Sequence, residues 1–193
     1  MIPLYAPLPY TVEYEGRTYR LLPYYDRVLE ATATLARMDM SAADALRYAL
    51  WLLIDERRYP LSPGLMQAII NTLVEPATHR SDDTPRSIDY SQDAALIYAA
   101  FMQAYHIDLR AERDLHWWKF QALLSGLPSD TRLMEIINIR TRPLPQPTKY
   151  NHDQIQELQR LKAKYRIRLT EEEAEQQYKL GLQRIAAELM SRG

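Results

Sequence analysis

Apolar residues spaced three and four apart recur in segment after segment of this chain, and that period commits it to packed helices. In "SAADALRYALWLLI", Ala45, Leu46, Ala49, Leu50 and Leu53 share one face, and Trp51 and Leu52 widen it. Ser41 precedes the run as an N-cap, with Asp44 in the first turn. Val28, Thr32, Leu35 and Ala36 mark an earlier helix, from Tyr25 to near Asp39. Ser62-Pro63 starts another, a cap followed by proline at the first helical position, and "PGLMQAIINTLVE" stops before Pro76. Ser91 is the expected cap of a further helix with Ala94, Ile97, Tyr98, Phe101 and Tyr105 on one side. "LHWWKFQALLSG" is helical and ends at Gly126, expected in a left-handed C-terminal position. Leu133, Ile136, Ile137 and Arg140 mark one more.

The two-residue period of a strand appears near the start. Val12 and Tyr14 alternate with Glu13 and Glu15, and a tight turn at Glu15-Gly16 places Val12 opposite Tyr19. Pro23 closes the second strand. "PATHRSDDTPRSIDY" is polar and aperiodic, a surface loop, and "TRPLPQPTKY" is a proline-rich, semi-rigid linker. Beyond it the chain turns charged and helix-forming. Ile155, Leu158, Leu161, Tyr165 and Leu169 form a thin apolar stripe. Thr170 and Glu173 make a capping box, and Ala174, Tyr178, Leu182, Ile185 and Leu189 form a second stripe. The expected fold is mainly α: a hairpin plus helical core domain over residues 1–140, a linker over 141–150 and a charged helical extension over 151–193.

Composition removes several function classes. At 47% apolar, 193 residues can bury a real core. Lysine and arginine number 24 against 25 acidic residues, so no global field draws the chain to nucleic acid or anionic membranes. There is no cysteine, which excludes disulfides, thiol catalysis and thiolate metal sites. "MIPLYAPLPY" lacks the basic start and apolar run of a secretory signal, and the longest apolar runs fall short of the roughly 20 residues of a membrane span. A soluble, intracellular protein is the expectation.

The pair Trp117-Trp118 is the feature closest to a site. A stacking platform for bases needs several basic residues among its aromatics, and only Lys119 is near. Helical spacing groups Trp117, Phe120 and Leu124 on one side and Leu115, Trp118 and Ala122 on the other. A helix apolar around most of its circumference is a central one, so Leu115, Trp117, Trp118, Phe120 and Leu124 are read as structural core.

No catalytic, cofactor-binding or metal-ligating set emerges. The four histidines, His79, His106, His116 and His152, form neither an i,i+4 pair nor an H-E-x-x-H pattern. His106, Asp108 and His116, with Glu112 or Asp114, are the nearest approach to a ligand cluster. Five glycines provide no phosphate loop and no nucleophile elbow, and Asp82-Asp83 lies in the polar loop. Lys162–Arg168 is a basic cluster followed at once by "EEEAE", the pattern of a solvated helix face. The C-terminal stripes are too narrow to build a core. Two readings stay open: they fold back on the domain or each other, or Leu158, Leu161, Tyr165, Leu182, Ile185 and Leu189 dock a partner helix.

The stretch from Ser91 to Arg140 carries a further signal: the Asp93–Tyr105 run, "IDL" at Ile107–Leu109, "LHWWKF", "ALLSGLPSDT" and "IINIR". It resembles the bacteriophage Gp-fifteen family of long, non-contractile-tailed phages and their prophages. The resemblance leads one to expect glycine where this chain has His106. It implies a non-enzymatic tail assembly chaperone without cofactor, encoded between the major tail protein and the tape-measure protein and acting in the host cytoplasm. The implied partner is the tape-measure protein, with self-association or a second tail assembly chaperone also open, and neither membrane nor nucleic acid is expected. The alternatives are a structural tail protein retained in the virion and a nucleic-acid-binding phage protein using Lys162–Arg168.

Overall fold

The computed structural model describes residues 6–37, 39–73 and 87–168. Among them the fold is mainly α with an N-terminal antiparallel hairpin, β1 (Thr11–Tyr14) and β2 (Arg17–Arg20). Seven described helices follow: α1 (Tyr25–Leu35), α2 (Ala42–Leu53), α3 (Pro63–Leu73), α4 (Ala94–Tyr105), α5 (Trp117–Ser125), α6 (Arg132–Thr141) and α7 (His152–Tyr165). The chain divides into two compact units, residues 1–85 with 90–135, and residues 86–89 with 136–193, and α6 contributes to both.

The hairpin has the expected register, with Val12 opposite Tyr19, both buried. Its turn holds Glu15 at φ 50° and Gly16 at φ 73°. Positive φ at both central residues gives the two-residue turn whose twist matches that of paired strands. The free edge of β2 is covered by the chain leaving α2. Asp55 N–H donates to the Arg20 carbonyl at 2.9 Å and Leu22 N–H donates to the Leu53 carbonyl at 2.8 Å, both ordinary backbone hydrogen bonds. An isolated bridge joins Leu21 to Ile54. On the other side the Tyr14 and Ser62 hydroxyls lie 2.9 Å apart, and a β-carbon on Gly64 would stand 2.7 Å from the Tyr14 hydroxyl. Glycine at position 64 is therefore set by this close approach.

Several helices depart from the sequence reading. α1 ends at Leu35 and buries Val28, Ala31 and Thr34; Thr32 and Leu35 face outward, and the Thr32 hydroxyl donates to the Val28 carbonyl at 2.8 Å. The buried line runs at a strict spacing of three, which the apolar pattern alone did not disclose because threonine and alanine fill it. α2 is capped as expected, Ser41 Oγ accepting from Asp44 N–H at 3.1 Å. Trp51, read as part of its buried face, is 59% exposed and lies against Tyr48, with ring centroids 5.5 Å apart. It stands about 200° around the helix from the fully buried Ala49.

α4 begins at Ala94 with Asp93 at the N-cap position, so Ser91 belongs to the preceding turn. Its buried residues are Ile97, Ala100 and Phe101, while Ala94 is exposed and Tyr98 and Tyr105 are half-buried. It ends at His106 in the left-handed region, φ 55°. Gly126, after α5, has φ −89° and is not left-handed. Crowding accounts for it instead: a β-carbon there would lie 3.3 Å from the Ala122 carbonyl oxygen and 3.4 Å from the Tyr105 hydroxyl. Leu169, the Thr170–Glu173 capping box and the second stripe lie outside the described residues, as does most of the polar loop before Ser87.

Candidate functional site

In the first unit the aromatic residues close on one another. Phe120 is fully buried, with the rings of Tyr25, Phe101 and Trp117 stacked at 4.9, 5.2 and 5.7 Å and Tyr90 at 6.3 Å. Leu115, Trp117 and Leu124 are buried with it. Trp118 is half-buried and its indole N–H donates to the Leu73 carbonyl at 2.8 Å. The Tyr25 hydroxyl donates to the Leu109 carbonyl, and burial pushes its pKa up.

His116 is also fully buried, and its ring serves the backbone. Nδ1 accepts the Trp118 N–H at 3.0 Å, so this imidazole is the N-cap of α5. Nδ1 therefore carries no proton, and Nε2, 3.2 Å from the Pro9 carbonyl, is the donor. Burial lowers the pKa of His116, and the nearby Lys119 charge lowers it further against the Pro9 bond. Tyr10 and Trp118 rings enclose it edge-on at 5.0 and 6.1 Å. Main-chain bonds hold the same corner: Tyr25 N–H to the Leu115 carbonyl at 2.9 Å and Trp117 N–H to the Pro23 carbonyl at 2.7 Å. Among the described residues no group of three histidines or carboxylates could hold a metal ion.

The second unit carries the surface candidate. The proline-rich segment before α7 is folded by Asn151, whose Oδ1 accepts from Thr148 N–H at 2.7 Å and whose Nδ2 donates to the Gln146 carbonyl at 2.9 Å. The segment runs beside α7 and leaves an open groove of about 550 Å³, lined by Arg142, Pro145, Asp153, Gln154, Glu157, Leu158 and Leu161. Arg140 and Lys162 tie the unit together. Arg140 Nε donates to the Tyr165 carbonyl at 2.6 Å and Nη1 to the Ser87 carbonyl at 3.0 Å, while Lys162 Nζ donates to the Arg140 carbonyl at 2.7 Å. The first of these contacts places a cation at the C-terminus of α7, where the helix dipole favours it. Arg160 donates to Glu157 at 2.9 and 3.1 Å, which holds the Glu157 carboxyl below its usual range.

Of the residues read as partner-binding, Leu158 is buried and Leu161 and Tyr165 are half-buried within this unit. Leu182, Ile185 and Leu189 lie outside the described residues. In the Lys162–Arg168 cluster, Lys162 is committed to the Arg140 carbonyl and Lys164 sits over the Tyr165 ring at 5.2 Å. Sequence reasoning did not find the groove walls Arg142, Pro145, Asp153, Gln154 and Glu157, because the proline-rich segment read as a spacer. The available signal was Asn151, a side chain able to bond the backbone on its N-terminal side and fold that spacer.

No curated protein and no solved structure matches the chain. One family does, described as Bacteriophage Gp15 protein, over residues 4–167. That span includes the hairpin, the aromatic core and the grooved second unit through α7, and so this chain belongs to the bacteriophage Gp15 family.

Proposed function

We propose that this phage protein is a non-enzymatic tail assembly chaperone, one that binds the tape-measure protein in the host cytoplasm and keeps it soluble while the tail tube forms. The family match over residues 4–167 carries the reading, together with the gene position the resemblance implies, beside the tape-measure gene. A tape-measure protein is long and helical with apolar seams, and such surfaces aggregate when uncovered. A small helical protein with an apolar groove and polar rims can cover them in many copies. Modest individual contacts summed by avidity hold the client firmly, yet let each copy leave as tube subunits polymerise. No described helix is long and apolar enough to cross a membrane.

Co-expression tests the reading. With this chain present, the tape-measure protein moves to the soluble fraction; unchanged solubility refutes the chaperone. Mass spectrometry of purified particles is expected to find at most traces of the chain. Stoichiometric presence would instead make it a structural tail protein.

A further inference from the structure

We infer that residues 6–9 form a strap latched by the His116 side chain, and that protonation of the imidazole unlatches it while the helical body stays folded. Such a device is independent of the chaperone role. The strap, Ala6-Pro7-Leu8-Pro9, leads into β1, with Ala6, Leu8 and Pro9 half-buried against the body. Two of its four residues are prolines, which have no N–H to donate. Among the described residues the one hydrogen bond it makes joins the Pro9 carbonyl to His116 Nε2, at 3.2 Å. From Tyr10 onward the main chain is held, since Leu21 N–H donates to the Tyr10 carbonyl at 2.8 Å. Tyr10 is therefore the hinge, and the polar hold on residues 6–9 is a single ring nitrogen.

The ring under the strap has no place for a charge. His116 is fully buried, and the Tyr25–Leu115 and Trp117–Pro23 main-chain bonds pin the chain on either side of it. Its neighbours are the Tyr10 ring at the hinge, the Trp118 ring and Lys119 from α5, and Tyr24, bridged to it from the corner before α1. Lys119 repels a second cation, and among the described residues no carboxylate acts on the ring to balance one. A proton on Nδ1 would point at the Trp118 N–H and end the α5 cap. Water is then the cation's best partner, and the strap is the cover held by the fewest bonds. With the strap lifted the imidazole titrates near its ordinary value, about 6.5; with it closed, burial keeps the ring lower. The open form therefore binds the proton more tightly and gains population as pH falls below about 6.5.

The chain has no cysteine, so Pro7→Cys, at an exposed position, gives a single site for a nitroxide label on the full-length protein. The label's spectrum reads strap motion, and near-UV circular dichroism of the same sample reads the aromatic core. At about pH 8 the label is expected to be largely immobilised. Toward about pH 5 its mobile fraction should rise at least about fivefold, with a midpoint below about 6.5 and an unchanged near-UV spectrum. In His116→Asn the amide oxygen keeps the α5 cap but the side chain stops short of Pro9, so the label should be mobile at every pH. A label already free at about pH 8 in the parent overturns the proposal, as does mobility that stays flat down to about pH 5. So does release that coincides with loss of the near-UV signal, which makes the event global unfolding. In His116→Asn, a label that stays immobilised removes the latch, and a surviving pH transition assigns it to another group. The titration of the labelled parent decides between local release and none even where His116→Asn fails to fold.

Discussion

Two residues show how backbone and ring chemistry decide what a position does. His106 ends α4 at φ 55°, where a β-carbon is strained, and the family resemblance calls for glycine there. His106→Gly is expected to raise stability by about 0.5–1 kcal/mol, relief of left-handed strain outweighing the added freedom of the unfolded chain. Urea denaturation measures it through the midpoint. His116 acts through its proton. The unfolded imidazole titrates near 6.5, and the folded one lower, because burial disfavours the cation and Nδ1 is already an acceptor. Stability from this group is therefore complete above about pH 6.5 and is lost as pH falls toward the folded pKa, since the unfolded state binds the proton first. The urea midpoint should fall more steeply between about pH 7 and pH 5.5 in the parent chain than in His116→Asn, whose amide oxygen can still cap α5.

Elements depend on the contacts that place them. Phe120 lies against four other rings, so Phe120→Ala should cost about 3–5 kcal/mol, whereas Trp51→Ala on the open face of α2 should cost well under about 1 kcal/mol. Thermal or urea unfolding of the two variants separates them. Gly64→Ala should destabilise the junction of hairpin and α3 by about 1–2 kcal/mol, and less in a Tyr14→Phe background, where the obstructing hydroxyl is gone; a double-mutant cycle reads the difference. The elements themselves were largely legible. Helical period marked α1 to α7, Ser41 capped α2 as read, and alternation with the Glu15-Gly16 turn gave the register of β1 and β2. What escaped was set by tertiary approach. Trp51 is apolar but sits on the wrong arc, Gly126 answers to crowding by the Ala122 carbonyl and the Tyr105 hydroxyl, and Asn151 folds a segment whose prolines suggested a bare spacer.

For the whole molecule, near-balanced charge implies that client binding, under the chaperone role proposed above, would be governed by burial. Retention of the tape-measure protein should change by less than about threefold between about 50 and 200 mM salt, where phosphate-backbone contact would lose orders of magnitude; pull-down across a salt series distinguishes them. The three tryptophans add a practical consequence. Trp51 stands in water, while Trp117 is enclosed by other rings and Trp118 is half-covered with its N–H bonded. The unlabelled chain thus carries two optical reporters. Red-shifted emission tracks whatever covers the outer face of α2, and blue-shifted emission tracks the integrity of the interior, so covering of that face and unfolding can be followed separately in one cuvette.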